Sequence, residues 1–182
     1  MLKKTALHPE HQKLNARLVD FAGWEMPIQY QSQLDEHHAV RQSAGMFDVA
    51  HMAAVDLHGA RVEDFLRKLL ANDVARLAAA GVPAGKALYS CMLREDGGII
   101  DDLIAYRVRA NWFRLVVNAG TTGKDLAWIR QHASEFGVDV KHRTDLGILA
   151  VQGPEARQKV ARHLPSPLAT DVLSLAVFQA TH

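Results

Sequence analysis

Residues 87–108 read Ala87-Leu88-Tyr89-Ser90-Cys91-Met92-Leu93-Arg94-Glu95-Asp96-Gly97-Gly98-Ile99-Ile100-Asp101-Asp102-Leu103-Ile104-Ala105-Tyr106-Arg107-Val108. Two apolar runs, Ala87 to Leu93 and Ile99 to Val108, flank the polar segment Glu95-Asp96-Gly97-Gly98. Glycine tolerates positive φ, so this pattern predicts a β-hairpin. Strands joined by so tight a turn run antiparallel. Phe113 to Asn118 and Gly147 to Gln152 read as further short strands.

Outward from the hairpin the period changes from two to about 3.6. Val62, Phe65, Leu66, Leu69 and Leu70 form one apolar stripe of an amphipathic helix. Leu126, Ile129, Ala133 and Phe136 repeat that spacing, and Gly137 stands where a helix stop is expected. Gly153-Pro154 opens a third helix, continued by Ala156, Val160 and Leu164. A fourth is predicted over Leu34 to Ala44, ending at Gly45 and made wetter by His37-His38. Leu77 to Gly85 reads as a loop, and Asp171 to Phe178 as the start of another element. The chain then stops at His182 inside an apolar run, as a fragment, a split gene product or a frayed terminal helix would. The fold class expected is α+β, antiparallel sheets with flanking helices.

Bulk properties narrow the function. The chain has 182 residues, enough for one large or two small domains. Its 21 basic and 20 acidic residues are spread without a like-charged block, which gives no sign of a nucleic-acid partner. No run approaches the roughly 20 apolar residues of a membrane span, and Met1-Leu2-Lys3-Lys4-Thr5 leads into polar sequence, with no signal peptide visible. A single cysteine, Cys91, excludes an internal disulfide and a thiolate metal cluster. A reducing cytoplasm is the expected compartment.

Asp101-Asp102 is the most unusual local feature, two carboxylates inside an otherwise apolar strand. Alternation turns them to opposite faces, Asp102 with Ile100, Ile104 and Tyr106, and Asp101 with Ile99, Leu103 and Ala105. A buried carboxylate needs a cation, donors or a ligand. Both aspartates could equally sit at the wet end of the hairpin and accept from turn amides. Alternation does not choose between them. His51-Met52, Tyr89 and Asn118 are polar or ligand-type residues near strand ends, where structural roles are common. The histidines show no metal-type clustering, since His37 and His38 diverge on a helix, and no metal is expected. No serine elbow or Cys-His signature supports nucleophilic catalysis.

Val19-Asp20-Phe21-Ala22-Gly23-Trp24-Glu25-Met26-Pro27, Glu36-His37-His38-Ala39-Val40-Arg41 and Gly45-Met46-Phe47-Asp48-Val49-Ala50-His51-Met52 resemble the aminomethyltransferases, the T-proteins of the glycine cleavage system. The likeness continues through Asn72-Asp73, Gly85 to Ser90, Gly97 to Leu103, Val116-Val117-Asn118 and Gln152-Gly153-Pro154. It runs nearly the whole chain in the family's order. Ala50 stands where the family often has serine.

The resemblance implies transfer of a one-carbon unit from an aminomethyl group on the dihydrolipoyl arm of H-protein to tetrahydrofolate, with release of ammonia. It implies that Asp102 is the functional carboxylate, holding pterin-side amines and stabilising positive charge as it develops. Met52 and Tyr89 would be walls of the folate pocket and Asn118 a polar contact. Ile104 and Tyr106 would line the same cavity, and Asp101 is counted with these folate-side residues. The family is about twice this length and forms three domains. The chain is therefore expected to hold the first two, truncated and inactive by itself. Residues 1–50 and 145–182 would form a discontinuous, incomplete first domain with unpaired apolar surface, and 51–144 the second. Alternative readings are a folate-dependent domain related to sarcosine and dimethylglycine oxidases, or a non-catalytic folate-binding module.

Overall fold

The structure is a computed structural model and describes residues 1–181. In chain order the first elements are α1 (His8–Lys13), β1 (Arg17–Phe21), β2 (Trp24–Gln29), α2 (Gln33–Gln42), β3 (Gly45–Asp48), β4 (Ala53–His58) and α3 (Val62–Leu69). They are followed by β5 (Ala87–Leu93), β6 (Ile99–Arg109), β7 (Trp112–Val117), α4 (Thr122–Ala133) and β8 (Asp139–His142). The last are β9 (Leu149–Gln152), α5 (Ala156–Ala161) and α6 (Ser166–Ser174). The described elements are mixed α and β with antiparallel pairing, the expected class.

The chain divides into two compact units, Met1–His51 with Leu146–Ser174, and Met52–Asp145 with the residues from Leu175 onward. The expected first domain took in everything from 145 to the end. Residues 175–181 pack in the second unit instead, because their backbone finds partners there. Phe178 O accepts from Ala87 N–H and Ala180 N–H donates to Gly85 O, while Lys86 Nζ donates to Val177 O. Asp171 to Phe178 is thus not one new element. Asp171–Ser174 ends α6, and the chain beyond it leaves the helix. The reading of the chain end at His182 falls outside the described residues.

The first unit contains two separate two-stranded sheets, β1–β2 and β3–β9. Helix α2 buries no residue, in keeping with the wet face read from His37-His38. The β1–β2 hairpin and α1 were not read from the sequence.

The second unit is built on a five-stranded sheet of order β5-β6-β7-β4-β8. The predicted hairpin is β5–β6, with Gly97 at φ 82° and Arg94 N–H donating to Gly98 O across the turn. Helix α4 ends in a 3-10 turn, and Gly137 adopts the left-handed conformation that the stop signal called for. The apolar stripe of α3 and residues Leu126, Ile129 and Ala133 of α4 cover one face of the sheet. That face supplies Val55, Leu57, Leu103, Ala105, Phe113, Leu115 and Val117, all buried.

Register fixes what lies on the other face. Tyr89 pairs with Ile104, and Ile104 with Val116; Ala87 pairs with Tyr106, and Tyr106 with Arg114. Asp102 pairs with Cys91. Alternation therefore puts Asp102, Ile104, Tyr106, Tyr89 and Arg114 on the face away from the helices. Further along it, fully buried Asp56 accepts two hydrogen bonds from Arg114, at 2.6 and 2.9 Å, and one from Arg143 at 2.6 Å.

Candidate active site around Asp102

The site forms where β6 and β7 end beside the start of α4. One residue beyond the pairs Leu103–Val117 and Ala53–Val117 come Asp102, Asn118 and Met52, neighbours across three strands. The turn that follows β7 is held by Thr122, whose hydroxyl donates to Asn118 O at 2.7 Å. This ties the asparagine to the first turn of α4.

Asp102 is half-buried and takes three contacts from two donors. Tyr89 OH donates to Asp102 Oδ2 at 2.9 Å. Asn118 Nδ2 donates to the Asp102 carbonyl at 3.1 Å and lies 3.4 Å from Asp102 Oδ1. The hydrogen bond to Asp102 is the main reason that the Tyr89 phenol is raised above its ordinary value, so Tyr89 keeps its proton. Tyr89 is 49% exposed, and Asp102 beside it is only half-buried. Ile104 and Tyr106 follow Asp102 along the same strand face, both half-buried, and burial raises the Tyr106 phenol as well. The structure thus brings Asp102, Tyr89, Ile104, Tyr106, Asn118 and Met52 to one face or to its end.

Asp101 differs. Its side chain is on the helix side, and its oxygens accept from Asn118 Nδ2 at 3.0 Å, from the Asp102 backbone N–H at 2.9 Å and from the Thr121 hydroxyl. Burial would raise its pKa, but the hydrogen bonds that its oxygens receive, those from Thr121 and Asn118 among them, outweigh that and hold it below the ordinary carboxylate range. Asp101 is a hub that ties β6 to α4, and it is linked to the open-face residues through Asn118 and the Asp102 amide. Thr121 and Asp125 complete that hub and were missed in the sequence. A threonine at a helix start and an acid within an amphipathic stripe carry no chemical signal of their own.

Elsewhere, the cations of α3 behave as a solvated face. Arg61 pairs with Asp64, Arg67 with Asp73 and Lys68 with Glu135. Among the described residues no group of three or more His, Cys, Asp and Glu side chains is placed to hold a metal ion, and no helix is long and apolar enough to cross a membrane. His51 sits in the first unit, edge-on to Phe21 with ring centroids 5.4 Å apart, and burial depresses its pKa.

The second unit is thus an antiparallel sheet covered by helices on one side, with a carboxylate anchored on its open side. Residues 7–180 match the family described as GCVT N-terminal domain, and the chain belongs to that family. It is 56% identical over 180 residues to proteins named aminomethyltransferase from two strains of Xylella fastidiosa. Those alignments cover 99% of this chain and 48% of each relative. A crystal structure described as glycine cleavage system aminomethyltransferase T from Bartonella henselae superposes with a TM-score of 0.86 at 35% identity. It is matched over 98% of this chain and 47% of its own length. The chain thus spans about half the length of the relatives it matches.

Proposed function

We propose that the chain supplies the Asp102 side of a tetrahydrofolate-dependent aminomethyltransferase of the glycine cleavage system. In that reaction the aminomethyl carbon leaves the sulfur of a dihydrolipoyl arm, carried by H-protein, and its own nitrogen. It becomes bonded to two nitrogens of tetrahydrofolate. The protons those nitrogens lose balance the release of ammonia and of the free thiol. Turnover is assigned to this chain acting together with the segments that its relatives carry in addition.

The observation that carries the reading is the contrast between the two aspartates. Asp101 has its oxygens taken up on the helix side, while Asp102 is oriented by Tyr89 and Asn118 on the open face. A fixed carboxylate there favours positive charge as it builds on the transferred carbon and the folate nitrogens. At 4 Å and an effective dielectric near 20 such an attraction is worth about 4 kcal/mol. Met52, Tyr89, Ile104 and Tyr106 offer apolar and aromatic surface for a flat pterin, and Asn118 a polar contact.

Tetrahydrofolate titrated into the 182-residue chain, followed by tryptophan fluorescence, tests this reading. Saturable quenching is expected, with affinity falling roughly tenfold in Asp102→Asn as one charge-assisted contact is lost. Equal affinity of the two proteins would remove Asp102 from the proposed site.

A further inference from the structure

Asp125 is the most deeply buried acid of the second unit and has no part in the chemistry above. Its side chain is 0% exposed, one turn into α4, with its backbone N–H donating to Thr121 O at 2.9 Å. Among the described residues no donor is hydrogen-bonded to either of its carboxyl oxygens. Thr121 lies beside it, but the single hydroxyl proton of Thr121 is committed to Asp101. Beside Thr121, the side chain that the Asp125 carboxyl faces is the carboxylate of Asp101. An ionised carboxylate enclosed without a donor and set against a second carboxylate is not a tenable arrangement. A carboxylic acid is, because its O–H can donate to Asp101.

We propose that Asp125 is a positioning residue, held as a neutral acid that donates its proton to Asp101 and so clamps the Asp101–Asn118 array that orients Asp102. The chain of contacts is continuous. Asp125 donates to Asp101, and Asp101 accepts from Thr121, Asn118 and the Asp102 amide. The same Asn118 amide group reaches Asp102. Asp101, saturated in this way, stays on the helix side and leaves Asn118 fixed at the edge of the open face.

Two ionisable groups act on Asp125. Asp101 of β6 disfavours its charge, and Lys124 of its own helix favours it, although Lys124 Nζ is engaged with Ile100 O at 2.6 Å. Burial is the largest influence and, with Asp101, raises Asp125 from 3.8 to about 7. The folded protein then holds a proton that the unfolded chain has lost between these values. This contribution to stability is full below 3.8 and lost as pH rises to about 7. Above neutrality Asp125 ionises, the two carboxylates repel, and the array loosens.

The test is an NMR titration of the 182-residue chain carrying 13C-labelled aspartate carboxyls and 15N-labelled asparagine side chains. In the wild-type protein one aspartate carboxyl is expected to titrate near neutrality, and the Asn118 Nδ2 resonances to shift with the same midpoint. Asp125→Asn keeps a neutral donor, so it should abolish that titration and leave Asn118 at its low-pH position throughout. Asp125→Ala should displace Asn118 at every pH. An absence of any aspartate titrating above the ordinary range overturns the proposal, as does an Asn118 signal indifferent to that midpoint. The wild-type titration alone decides the matter should either variant fail to fold. No readout uses folate, so failure here is distinct from failure of the reading on which the role of Asp102 rests.

Discussion

In the second unit Phe65, Phe113, Leu57 and Leu115 are wholly buried between one sheet face and two helices, whereas in the first unit Phe47, Met46, Phe21 and Leu149 stand exposed. The first unit encloses polar groups instead. His8 meets Glu25 at 2.5 Å, and His11 lies between Tyr30 and Asp48, each at 2.9 Å. Thr5 completes the set by donating to Asp48 at 2.5 Å. The two units therefore rest on different physics. One depends on apolar area withdrawn from water, which cavities weaken. The other depends on saturated polar contacts, which are sensitive to the loss of a single partner.

The largest effect expected from this difference is on truncation. Phe113→Ala should cost the second unit about 3–5 kcal/mol, the range for an enclosed aromatic. Phe47→Ala removes as many atoms from a half-exposed ring and should cost the first unit below about 1 kcal/mol. Urea unfolding separates the two, since Trp24 reports the first unit and Trp112 and Trp128 the second. Equal losses would mean that the first unit has an apolar core after all.

A smaller effect sharpens the same contrast through single polar partners. His11→Ala leaves Asp48 without its ring contact and should cost the first unit about 1–3 kcal/mol by the Trp24 signal. In the second unit Asp56 is a comparable polar centre. Although burial opposes it, hydrogen bonds from Arg114 and Arg143 hold Asp56 at about 2, against an ordinary 3.8. Its folded value is depressed, so its stabilisation is present above 3.8 and lost as pH falls towards about 2. The amount is about 2 kcal/mol, to be read as a loss of second-unit melting temperature across that acid window. Asp56→Asn should flatten the loss, and an unchanged slope would remove Asp56 as its cause.

What could be read beforehand follows from the same division. Most of the second unit was legible because its helices obey a 3.6-residue stripe and its central hairpin carries a glycine turn, although strands β4 and β8 went unread. Alternation also separated Asp101 from Asp102 and placed Ile104 and Tyr106 beside the latter. The first unit was far less legible. With its interior filled by Thr5, His8, His11 and Asp48, the apolar pattern that announces an element is missing. Residues 19–27 carry a family likeness but no plain hairpin signal, since Ala22, which takes positive φ in the turn, is not a turn-type residue. The Asp125–Asp101 pairing was illegible for another reason. It joins residues on separate elements, and no local pattern says that a helix-face acid will meet a strand acid.

The smallest expected effect tests those two hairpins against each other. Ala22 at φ 52° and Gly23 at φ 81° form the β1–β2 turn, and Gly97 at φ 82° lies in the β5–β6 turn. A side chain in the left-handed region costs about 1–2 kcal/mol, and glycine escapes this at some entropic expense when it is free in the unfolded chain. Gly97 has open space around it, so Gly97→Ala meets no clash and should destabilise through backbone strain alone, by about 1 kcal/mol. Ala22→Gly relieves the same strain and should stabilise the first unit by up to about 1 kcal/mol. Melts followed at Trp24 and at Trp112 with Trp128 should therefore move in opposite directions. A loss of stability in Ala22→Gly would show that the methyl of Ala22 packs usefully in its turn, and that the first unit draws more on apolar contact than its exposed rings suggest.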